Sequence, residues 1–120
     1  MVRWLFAIFL ILHGLVHLLW FVVPWKLTTV EGLPYTTRIL GGRIDVGDSG
    51  IRLVGLLWVV AMLAFVAGGL GVMFSAVWWP WVVVGATVYS LLLCVLGWPD
   101  TRWAILINLA ILAVAWWRPF

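Results

Sequence analysis

Four apolar runs, at residues 2–23, 49–74, 77–96 and 101–117, fill most of this 120-residue chain. A bilayer core of roughly 30 Å needs about 20 helical residues to cross it, so each run qualifies as a span. The second and third joins are only a few residues long, which forces the last three runs to pack antiparallel as neighbours. The expected fold is therefore an all-α integral membrane domain over residues 1–120. It is an antiparallel bundle of four transmembrane helices with one extramembrane loop at 24–48. Both termini fall on one side of the membrane, and the loop and the turn at 97–100 on the other.

Composition agrees with lipid as the main solvent. The chain is 67% hydrophobic and 9% charged, too apolar for a water-soluble surface at this size. Its net charge of +3 is dispersed, with no Lys/Arg cluster, which excludes a nucleic-acid footprint. A single cysteine, Cys94, excludes an internal disulfide and a CxxC motif. Arg3 ahead of an apolar run imitates a signal peptide, but the run is long and no A-x-A-like cleavage site follows, so it reads as a retained anchor.

The tryptophans sort into two interfacial belts, as indole rings prefer. Trp4, Trp78, Trp79, Trp81, Trp116 and Trp117 lie on the terminal side, Trp20, Trp25, Trp98 and Trp103 on the loop side, and only Trp58 lies well inside a span. Lys26, Arg38, Arg43, Arg52 and Arg102 on the loop side outnumber Arg3 and Arg118, so the positive-inside rule puts the loop in the cytoplasm of a multi-pass cell-membrane protein.

Within the loop, Thr36-Thr37-Arg38-Ile39-Leu40 and Arg43-Ile44-Asp45-Val46 flank Gly41-Gly42. Two β-prone runs about a Gly-Gly pair predict a hairpin with a two-residue turn, because both central positions need positive φ. That register sets Leu40 opposite Arg43, Ile39 opposite Ile44 and Arg38 opposite Asp45, with Thr37, Ile39, Ile44 and Val46 on an apolar face. Asp48 or Ser49 is placed to cap the second span, and Asp100 the fourth. Ala61, Ala64, Gly68 and Gly71 give the second span a narrow side for close helix approach in lipid.

Polar residues gather toward the loop side. His13 and His17, the only histidines, stand four apart on one face of the first span. Arg52, Tyr89, Ser90, Cys94 and Asn108 lie at comparable depths or above, with Asp48, Asp100 and Arg102 at the mouth. The terminal half holds little beyond apolar side chains and interfacial indoles. This suits a pocket open to one face, with His17 on its wall and His13 on its floor.

Each candidate also has a bland role. The histidines can simply tie helices together through Ser90, Asn108, Tyr89 or a backbone carbonyl. As metal ligands, His13 and His17 can share one ion, but no third histidine or Glu-x-x-His motif accompanies them; haem would need one histidine with a non-histidine partner, or a histidine from a second copy. As proton carriers, they would need Asp48 or Asp100 nearby. Arg52 can snorkel to head groups. Cys94 is a small packing residue with nothing to stabilise a thiolate, and Tyr89 a polar-tipped core aromatic.

In outline the chain resembles the small four-span bacterial membrane proteins of the DoxX-like type. The likeness rests on its length, its spans, the His13-Gly14 pair in a first helix ending at Pro24, and the longer first loop. It implies a link to membrane redox systems or an accessory-subunit role and assigns no residue. The expected function is a non-enzymatic module that binds a hydrophobic or amphipathic ligand, or a partner subunit, from the polar side. The alternatives are a redox subunit using His13 and His17 with a metal, haem or quinone, and a small homo-oligomeric transporter or channel. The expected surroundings are the lipid bilayer, further copies of the chain or a larger membrane complex.

Overall fold

The computed structural model describes residues 2–117. It is mostly helical. In chain order it comprises α1 (Val2–Val16), α2 (Leu19–Val22), the antiparallel strands β1 (Arg38–Ile39) and β2 (Ile44–Asp45), α3 (Gly47–Met73), α4 (Trp79–Leu96) and α5 (Arg102–Trp117). Three segments are long and apolar enough to cross a membrane: Val2–Val22 taken across its break, Gly47–Met73 and Trp79–Leu96. Arg102–Trp117 is a shorter apolar helix.

The first run is not the single helix its composition predicts. The His17 amide donates to the Gly14 carbonyl at 3.0 Å and the Leu18 amide to the Leu15 carbonyl at 3.0 Å. These are three-residue steps, the tighter 3₁₀ pattern, and they end α1. The Arg3 guanidinium at the other end of α1 donates to the Val72 carbonyl at 3.0 Å, tying α1 to the last turn of α3.

Helix α3 is the hub. It packs against α1 and α2 on one side and α4 on the other, and α5 packs on α4, while α1 and α5 meet only loosely. The narrow side expected of α3 is in fact two sides. A Cβ on Gly69 would sit 2.9 Å from the Ala7 carbonyl oxygen of α1, and one on Gly68 would sit 2.9 Å from Val83 Cγ2 of α4. Gly14 gives the matching approach from α1, since its Cβ would lie 2.8 Å from Phe65 Cβ. Backbones this close gain dispersion contact between the helices.

Two apolar clusters result. Phe6, Ala7 and Leu10 join Phe65, Val72, Trp79, Val83, Ala86, Ile111 and Ala115 toward the terminal end, so all four long elements share one core. Toward the loop end, Trp58, Ala61, Leu93 and Cys94 form a smaller one, with Trp20 stacked on Trp58 at 4.9 Å between ring centres.

The loop hairpin has the register set by Gly41-Gly42: Arg38 opposite Asp45 and Ile39 opposite Ile44. Leu40 as well as the two glycines has positive φ, and the Arg43 amide closes the turn on the Leu40 carbonyl at 3.4 Å. The apolar face is incomplete, since Ile44 is exposed while Ile39 turns inward. Arg38 does not pair with Asp45. Its Nη1 donates to the Gly42 carbonyl at 3.1 Å, and Asp45 Oδ1 accepts from the Thr37 hydroxyl at 2.8 Å and the Gly47 amide at 3.0 Å. That last bond replaces the expected cap: α3 starts at Gly47, and neither Asp48 nor Ser49 caps it. Asp48 instead accepts from the Tyr35 hydroxyl. Asp100 makes no cap among the described residues; the Thr101 hydroxyl donates to the Cys94 carbonyl and pins the turn from α4 to α5.

Candidate functional site

Between the two apolar clusters lies a buried polar layer built from three helices. His13 comes from the end of α1 and His17 from the turn that follows it, Ser90 from α4 and Asn108 from α5. Because His17 bonds its amide to Gly14, the His13 carbonyl is left for another donor, and the His17 ring supplies it through Nδ1–H at 2.8 Å. A carbonyl only accepts, so Nδ1 carries the proton, and in the neutral ring Nε2 is an acceptor.

That single assignment orients the rest. His17 Nε2 accepts from the Ser90 hydroxyl at 2.8 Å. Ser90 Oγ accepts in turn from Asn108 Nδ2–H at 3.0 Å. Asn108 Oδ1 accepts from His13 Nε2–H at 2.8 Å. The second Asn108 N–H points at Cys94 Sγ, 3.7 Å away. Four hydrogen bonds thus close a ring from His13 through Asn108, Ser90 and His17 back to the His13 carbonyl. Phe65 lies against both imidazoles, at 4.9 Å and 5.2 Å between centroids, and Trp58 against His17 at 5.3 Å. A hydrogen-bonded ring in an apolar surround specifies one packing of the helices.

The two histidines weighed as metal ligands are held in this ring. Both nitrogens of His17 bond to groups of the chain, and the two rings stand edge to face at 5.0 Å rather than converging. Among the described residues no three His, Cys, Asp or Glu side chains gather.

The open pocket is elsewhere. A cavity of about 230 Å³ lies between the hairpin and the loop-side helix ends. Trp20, Ile51, Val54 and Trp58 line it from the helices, Leu96 to Asp100 from the turn between α4 and α5, and Pro24, Leu33, Pro34, Thr36, Arg38 and Ile39 from the loop. Its walls are mainly apolar and aromatic, with Arg38 and Asp100 as the charged groups.

Of the pocket residues read from sequence, the structure joins His13, His17, Ser90, Cys94 and Asn108, but beneath the Trp20–Trp58 stack and not on the cavity wall. Tyr89 does not reach the histidines; its hydroxyl donates to the Leu57 carbonyl at 2.9 Å. Arg52 is exposed outside the cavity, and its carbonyl accepts from Trp25 Nε1–H at 2.9 Å. Of the three mouth residues only Asp100 lines the cavity, with Asp48 turned to Tyr35 and Arg102 exposed. The residues missed were Trp20, Trp58 and Trp98 as walls and the hairpin as a roof. The solitary mid-span position of Trp58 was their one sequence signal.

No family model, curated protein or solved structure matches the chain.

Proposed function

We propose that the chain is a four-span membrane protein that holds the head group or ring of an amphipathic molecule in the hairpin-roofed cavity. The cavity carries this reading. It is mainly apolar and indole-lined, with one cation and one anion, Arg38 and Asp100, as the polarity expected of a site that orients an amphipathic guest. Supporting the membrane placement, the longest dimension of the fold, 44 Å, is that of a bilayer with its head groups, about 40–45 Å. Helix α5, with 16 residues, reaches about 24 Å and returns the chain across the hydrocarbon between Trp103 and Trp116–Trp117. The cavity end takes the cytoplasmic side by the excess of Lys and Arg there; Arg118, counted on the opposite side, lies outside the described residues.

Native mass spectrometry of the full chain released from nanodiscs tests the reading. A retained small molecule is expected on the wild type and its loss is expected from Val54→Trp, which fills the cavity. A bare wild-type mass, or a bound mass that persists in Val54→Trp, would overturn it.

A further inference from the structure

Helices α1 and α5 do not close on each other, and their seam holds a second opening. It is a groove of about 400 Å³, lined by Leu5, Ile8, Phe9, Leu12 and Val16 of α1 and Ile107 of α5, with His13 at its base. All six apolar residues are exposed, so the groove faces outward, into lipid on the four-span reading.

The chemistry at its base follows from the ring of hydrogen bonds. His13 donates Nε2–H to Asn108. In the neutral imidazole the other nitrogen, Nδ1, therefore carries a lone pair and no proton. No described residue donates to it, although His13 is only 7% exposed. Among the described residues no sealed side-chain nitrogen or oxygen lacks a partner, so Nδ1 is not sealed, and the groove is the opening that His13 lines. An acceptor at this depth has no water to satisfy it.

We propose that the groove binds a neutral, membrane-dissolved alcohol or phenol, its apolar body against α1 and Ile107 and its O–H donated to His13 Nδ1. A molecule with only acceptors cannot make this bond, and a cation would find no anion among the lining residues. A second copy of the chain is a poor occupant, since the mid-helix hydroxyls of Thr87 and Ser90 are buried and bonded and that of Tyr89 is donated to Leu57. The inference rests on the membrane placement above and not on the occupancy of the hairpin cavity.

The test uses the full chain in nanodiscs, ¹⁵N-labelled at histidine, titrated with 4-octylphenol and with its methyl ether, 4-octylanisole. The phenol is expected to bind about fivefold or more tighter, the value of one hydrogen bond, and to move the His13 Nδ1 resonance while leaving His17 in place. Leu12→Trp, which fills the groove without touching the ring, should abolish the shift and keep both histidine tautomers. Val54→Trp should leave it intact, which separates this site from the cavity. Equal affinity for phenol and ether, a shift that survives Leu12→Trp, or a shift lost in Val54→Trp would each overturn the proposal. So would a native-mass dimer whose formation is blocked by Leu12→Trp but untouched by the phenol.

Discussion

The ring of His17 donates its Nδ1 proton to the carbonyl of His13, the residue one helical turn before it, at 2.8 Å. This bond occupies a carbonyl that the turn at His17 takes out of the helical ladder, and it decides the direction of every bond in the polar layer. The two histidines should consequently show opposite neutral tautomers: Nδ1–H at His17 and Nε2–H at His13. Imidazole ¹⁵N shifts of the histidine-labelled protein check this, and the same tautomer at both positions would contradict the ring.

Ser90 is the hub of the layer, accepting from Asn108 and donating to His17. Ser90→Ala leaves an N–H and an imidazole nitrogen without partners, and the expected cost is roughly 1–3 kcal/mol of stability. Ser90→Thr, which restores the hydroxyl, should recover part of it. Thermal unfolding in one detergent compares the three proteins, and an unchanged midpoint for Ser90→Ala would mean the ring contributes nothing.

The approach of α1 to α3 depends on Gly14. An added methyl there meets Phe65 Cβ at 2.8 Å and the Met62 carbonyl oxygen at 3.2 Å, and neither can rotate away. Gly14→Ala should destabilise the fold by about 1–3 kcal/mol, as overpacking does. Gly85, whose added Cβ meets nothing within 4 Å, is the control: Gly85→Ala should be neutral or mildly stabilising.

The roof responds to pH at both extremes. The Gly47 amide, then the Thr37 hydroxyl, hold the Asp45 carboxyl below its ordinary value of 3.8. A lowered folded value gives a contribution present above 3.8 and lost as pH falls through the folded value. Stability should therefore drop in acid for the wild type and less for Asp45→Asn. The Tyr35 phenol is shifted the other way, raised above 10.0 chiefly by its hydrogen bond to Asp48. Its contribution is complete below 10.0 and lost above the raised value. Absorbance titration should place Tyr35 ionisation later than a free phenol, and Asp48→Asn should bring it back.

Orientation can be read by thiol labelling in intact cells. Native Cys94 is fully buried and should stay silent. Val2→Cys should label from outside and exposed Arg43→Cys should not. Labelling of Arg43→Cys alone would invert the assignment.

Much of the helical layout was legible because run length and short joins leave few alternatives, and the hairpin register was legible because Gly41-Gly42 tolerates positive φ. The depth count also set Ser90 and Asn108 near the two histidines. The break at His17 was not legible, since it depends on a ring proton finding a carbonyl while Ser90, far along the chain, holds the ring's other nitrogen. The caps of α3 and α5 were misjudged because local capping rules favour Asp48, Ser49 and Asp100, whereas the tertiary path gives the Gly47 amide to Asp45 and ties the turn before α5 to α4 through the Thr101 hydroxyl. The cavity was invisible for a related reason: loop residues such as Leu33 and Pro34 have no periodicity from which to infer that they fold back over Trp58.

The Leu40 amide donates to the Leu96 carbonyl at 2.9 Å, joining the turn of the hairpin to the last turn of α4. Both partners are main-chain atoms. The latch between roof and bundle therefore has no side chain to delete, and an alanine scan of the hairpin would pass over it. Its strength is set instead by whether residue 40 can hold a left-handed backbone and still offer an N–H. Replacing that amide with an ester is the change that would open the roof and spare every side chain below it.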